Sequence, residues 1–194
     1  MIRVIIGAAV AAIAMLLIGF IFFATPLARL GTANIDDAQA AAVQQALAAN
    51  LPRTGTYAVP GTDTQAQTNM YSRGPIATVH YNTRGFAAAD PTMFLGGFVF
   101  NFIIALLIGA ALIGIDRRVP DFGSRAKVAV IIAVAASAFN HLGEPIYWHH
   151  DWGHSIYLFV ADSLMLAAAG LILAWFLPRA PAVAAAPADA PKDV

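Results

Sequence analysis

The chain has 194 residues, 59% hydrophobic and 11% charged, with 11 Lys/Arg against 11 Asp/Glu and no cysteine. Soluble domains carry about 25% charged residues, and the mean hydropathy here is +0.69, so the composition points to lipid surroundings. Zero net charge offers nothing to a nucleic acid. The lack of cysteine excludes disulfides, thiolate metal centres, CxxCH haem attachment and CxxC redox sites, without identifying the compartment.

The first apolar run covers 4–24. A span takes roughly 20 apolar residues, and this run exceeds the usual 7–15 of a signal-peptide core. It therefore reads as an uncleaved anchor over 1–24. The segment 25–92 reads as a small α+β insertion. Asp36 and Asp37 can cap a helix reaching Asn50, with Val43, Leu47 and Leu51 forming a narrow apolar stripe and Leu51-Pro52 ending it. Residues 56–59 and 76–81 read as short strands between Gly and Pro breakers, and 61–74 as a polar loop. A domain of this size is marginal alone, so it is expected to lean on the helices or on another chain.

The second run, 93–115, holds the small-xxx-small pairs Ala105/Gly109 and Ala110/Gly114, which permit close helix packing. The loop 116–127 carries Arg117, Arg118, Arg125 and Lys127. The third run, 128–142, becomes long enough to span if its helix covers 124–143 and Lys127 snorkels. Gly143 is a natural C-cap and Pro145 disfavours helix at Glu144, so helical spacing is not expected to continue there. The fourth span is placed at 155–177, completing a three-helix region over 93–177. The Pro/Ala-rich tail 178–194 lacks large apolar residues other than valine and reads as disordered.

Orientation follows from the basic residues. Short loops rich in Lys and Arg stay in the cytoplasm. The loop 116–127 has four of them and 144–154 has none. The expectation is a membrane all-α bundle of four transmembrane helices, N-in and C-in, in a bacterial inner membrane. Its 25–92 insertion is then external (periplasmic). Tyr147, Trp148, Trp152 and Tyr157 suit the outer headgroup level, and Trp175 with Phe176 the inner one.

Chemistry concentrates in 140–154. Asn140, His141, Glu144, His149, His150, Asp151 and His154 lie there, with four of the chain's five histidines. Imidazole and carboxylate are the usual ligands of Zn, Cu or Fe. His141, His149, His150, His154 and Asp162 are thus the candidate metal ligands. The competing reading is an interfacial loop whose amphipathic rings suit the headgroups, and a third is pH sensing through His. No HExxH or similar motif occurs. Asp162 is the sharpest single residue. About seven residues into its run it lies roughly 10 Å deep, where a carboxylate costs about 2.5–3.5 kcal/mol and needs a partner. Asn101, Asn140, His141 and Asp162 should share one polar level. They form either a proton, ion or metal site or glue between helices. No acidic or His residue continues this level towards the cytoplasm, which argues against a pump. His80 stands alone on a strand.

No GxSxG, phosphate loop or catalytic carboxylate pair appears. The leading reading is therefore a non-enzymatic accessory, assembly or interaction subunit, acting through its insertion on a protein partner or a second copy. A metal-binding site or enzyme at the outer face is the alternative, and a small transporter the third.

The order of features resembles a family of uncharacterised small bacterial four-span membrane proteins with an external insertion after the first helix. The features are the anchor, the acid-capped helix ending Ala49-Asn50-Leu51-Pro52, the Gly55-x-Tyr57 strand before Pro60, the Gly74-Pro75 strand to Tyr81, and three further spans. The resemblance covers about 1–177 and implies the bundle fold. That family has no assigned activity, so it implies no catalytic residue.

Overall fold

A computed structural model describes residues 2–88 and 90–178. The elements run α1 (Ile2–Phe23), a 3-10 turn (Pro26–Leu30), α2 (Asp37–Asn50), β1 (Gly55–Val59), α3 (Gln65–Arg73), β2 (Ala77–Tyr81), α4 (Pro91–Gly114), α5 (Phe122–His141), α6 (Gly143–Trp148) and α7 (Trp152–Phe176). They divide into two compact units, Met1–Ala33 with Pro91–Val194, and Asn34–Asp90.

Four helices of the first unit are long and apolar enough to cross a membrane: Ile2–Phe23, Pro91–Gly114, Phe122–Trp148 (counting α5 and α6 together) and Trp152–Phe176. At most 28% of each most apolar stretch is buried against the rest of the protein. Large side chains face outward, with Leu17 61%, Phe100 63%, Leu107 62% and Phe139 91% exposed. Water tolerates no apolar patch of that extent on a monomer.

Helix α7 is the central element. It packs along α5 on one side and α1 on another, and α1 packs along α4. Small residues allow the approach. A Cβ on Gly170 would lie 2.6 Å from the Ala129 Cβ, and one on Gly109 would lie 2.9 Å from Val4. The core between these helices is Ala8, Ala11, Met15, Ala105, Leu112, Ala129, Ala169 and Leu173. Of the two small pairs on α4, Ala105/Gly109 faces this core, whereas Ala110 and Gly114 are exposed.

Three local expectations change. Residues 61–74 are not a loop throughout. Thr64 accepts from the Gln67 N–H and starts α3, a Thr-x-x-Gln capping pattern. The third span does not end its helical path at Leu142. Leu142 caps α5, but α6 follows at once and contains Glu144. Pro145 falls in the first turn of α6, where its missing N–H costs nothing. The 3-10 turn after α1 was not expected. Thr25 caps it, Gly31 closes it, and the Tyr157 ring sits where a Gly31 side chain would be.

In the second unit β1 and β2 pair antiparallel, from Gly55 opposite Tyr81 to Val59 opposite Ala77. Asp36 and Gln39 form a reciprocal capping box at the start of α2. No described residue of 34–90 is buried. Val43 is 51% exposed, while Leu47 and Leu51 are half-buried. The expected disordered tail 178–194 lies outside the described residues apart from Pro178.

Candidate functional site

Antiparallel packing of α5 on α7 places Ala129 against Gly170. Twelve residues further along α5 and eight back along α7, His141 meets Asp162. His141 Nε2 is 2.7 Å from Asp162 Oδ2. A carboxylate can only accept, so Nε2–H donates, and this is the partner that a carboxylate on a largely apolar helix requires. Asn140 Nδ2 lies 3.3 Å from the same Nε2. A nitrogen that donates to Asp162 has no lone pair for an amide N–H. Asn140 can therefore serve it only with its carboxamide oxygen turned inward. The charge-assisted contact is shorter and stronger and dominates the trio.

His141 is 9% exposed, whereas the Asp162 side chain is 36% exposed. Ser137 sits one turn before His141 on α5, and Ser163 follows Asp162 on α7. Among the described residues, the buried hydroxyls of Ser137, Ser163 and Ser155 have no hydrogen-bond partner. A polar layer thus interrupts an otherwise apolar seam. Asn101 is 6% exposed and buried in α4, with no hydrogen bond to the trio among the described residues.

The remaining histidines go elsewhere. His150 Nδ1 is 3.0 Å from Glu144 Oε2, tying the chain after α6 back to its first turn. His154 Nδ1 donates to the Gly31 carbonyl, and the Tyr157 hydroxyl donates to the Phe22 carbonyl. These bonds clamp the 3-10 turn onto the start of α7. Tyr157 also meets the rings of Phe22 and Phe23 at 5.6 and 6.3 Å between centroids, so it is held in packing rather than spread at a surface. His149 adopts the left-handed conformation, φ 55°, and reverses the chain. Asp151 caps α7 through the His154 N–H. The five candidate ligands therefore fall into separate places: His141 with Asp162, His150 with Glu144, His154 on the first-helix turn, and His149 at the reversal. Among the described residues no three His, Asp or Glu side chains are grouped to hold a metal ion.

Arg125 is placed in a way that no sequence pattern signals. It counts towards orientation as one of four loop cations, yet it is 1% exposed. Its Nε donates to Val119 O at 2.9 Å, and Nη1 to Leu177 O and Pro178 O at 3.3 and 3.0 Å. It thereby gathers the carbonyl end of α7, where the helix dipole favours a cation. Nη2 has no partner, and no carboxylate pairs with Arg125 among the described residues.

No family model, no curated protein and no solved structure matches this chain.

Proposed function

We propose that the chain is a multi-pass membrane protein that works as a non-enzymatic interaction or assembly subunit through its 34–90 unit. One observation carries the reading: in 57 residues of helix, strand and turn, no described side chain is buried. A two-stranded sheet is at best marginally stable in water, and both outer edges of this one are unpaired. The α2 helix keeps an Ala-rich, Val43/Leu47 face with no core beneath it. Such a unit gains its stability from a protein partner, in the manner of β-augmentation or helix-in-groove docking.

The Lys/Arg excess of 116–127 over 144–154 supports an N-in, C-in orientation, with 34–90 on the outer, periplasmic side of a bacterial inner membrane. Enzymatic and metal-dependent readings draw less support, since His141, His149, His150 and His154 go to four separate places.

The test is amide hydrogen exchange across 34–90, in native membranes and in purified, detergent-solubilised protein. Strong protection in the membrane that disappears on purification is the expected result. Equal protection in both would show the unit to be stable by itself and would remove the reading.

A further inference from the structure

Helices α4 and α5 lean on α1 and α7 and scarcely touch one another. Between them lies an apolar cavity of about 240 Å³, lined on α4 from Ile104 to Ile115 and on α5 from Val128 to Ala136. At 1.5 Å per residue these linings run about 16 and 12 Å, against about 15 Å for one leaflet of a bilayer core. A docked transmembrane helix would need a groove of twice that length. This one is the length of an acyl chain and ends at the 116–121 loop. Arg117 and Arg118 stand exposed there, in no ion pair among the described residues. Arg125 lies on the α5 stripe of Ala129, Ala133 and Ala136, one turn below the cavity. It is buried, and among the described residues its Nη2 has no partner and no carboxylate pairs with it. Of the two acidic residues nearby, Asp121 is engaged in capping Ser124 and Asp116 remains.

We infer that the α4–α5 groove is a binding site for an anionic glycerophospholipid. One acyl chain lies between the helices, and the headgroup phosphate rests against Arg117 and Arg118 with the Arg125 charge beneath it. This rests on the membrane reading but not on the role of 34–90. Anionic headgroups favour basic clusters at a helix end, so loss of both arginines should weaken binding about tenfold or more.

The experiment is native mass spectrometry of the full chain in detergent. The added probes are phosphatidylglycerol, phosphatidylcholine of the same acyl chains, or inorganic phosphate. One retained phosphatidylglycerol, preferred at least fivefold over phosphatidylcholine, is expected. The variant Arg117→Gln/Arg118→Gln should lose that preference. Ala111→Phe/Ala136→Phe alters exposed groove positions only and should lose the lipid with every charge intact. Equal retention of the two lipids, or retention by both variants, overturns the site. Competition by phosphate as strong as by lipid overturns the lipid and leaves a plain anion site. A protein that stays in water without detergent would defeat the membrane reading itself, an outcome separable from the others.

Discussion

At the scale of single residues, His141 and Asp162 make the contact whose energy can be measured most directly. Interhelical hydrogen bonds in membranes average about 0.6 kcal/mol and reach about 1.7. A double-mutant cycle of His141→Ala and Asp162→Ala in thermal unfolding should give a coupling in that range. A coupling near zero would make the pair incidental. His149 offers a different test, because its left-handed φ of 55° suits glycine. His149→Gly should be neutral or stabilising, and His149→Val should cost about 1–2 kcal/mol. If His149→Gly instead abolished an activity, the side chain would have work beyond the turn.

Asp121 carries a pH prediction. Hydrogen bonds from the Ser124 hydroxyl and N–H to its carboxylate hold its pKa below the usual carboxylate value. A depressed folded-state pKa gives stability that is present above the ordinary value of about 4 and is lost as pH falls through the folded one. Protection of the first-turn amides of α5, taken relative to the intrinsic exchange rate at each pH, should therefore fall below that pH. In Asp121→Asn, which still caps, it should not.

Among the elements, hydrophobic run length located four of the seven helices because a span needs little else. Asp36 at the head of α2 and the two strands were readable for similar reasons, one from a cap residue and the others from β-branched runs between breakers. The failures have physical causes. α3 is polar overall, with Ala66, Met70 and Tyr71 its few apolar residues, so run length misses it and the Thr64/Gln67 cap is its clearest sign. α6 is hidden because a proline disfavours helix at the residue before it, whereas a proline in a first turn costs nothing. At the candidate site, the common level of His141 and Asp162 was legible from counting residues. The pairing of His150 with Glu144, and of His154 with a turn far away in sequence, depends on loop paths that spacing does not encode. The burial of Arg125 was equally illegible, since a loop cation looks the same whether it is solvated or latched onto the last carbonyls of another helix. Gly170 tests the central seam. Gly170→Val must push α5 from α7, because even its Cβ would lie 2.6 Å from Ala129. Overpacking of that kind costs about 1–3 kcal/mol. A detergent-unfolding midpoint unchanged by Gly170→Val would mean that the α5–α7 contact is loose.

Taken whole, the molecule joins a unit with a core to one without. Ala8, Ala11, Met15, Leu112, Ala129 and Leu173 come from α1, α4, α5 and α7, and none comes from 34–90. Hydrogen bonds and strand pairing within 34–90 are local, and every side chain they use stays at least half-exposed or accessible to solvent. The bundle should then be energetically indifferent to the insertion. Replacing 34–90 by a flexible Gly/Ser linker removes no core residue, and linker length enters stability only logarithmically, at about 0.6 kcal/mol per doubling. The shortened protein should unfold in detergent within about 1 kcal/mol of the full chain by that measure. It should also keep the α5–α7 and α1–α7 contacts, read as unchanged amide-exchange protection along α1, α5 and α7. It should at the same time lose the proposed interaction with a protein partner. Loss of bundle stability on this replacement would mean that the insertion braces the helices. Its exposed surface would then need a partner within the same chain rather than outside it.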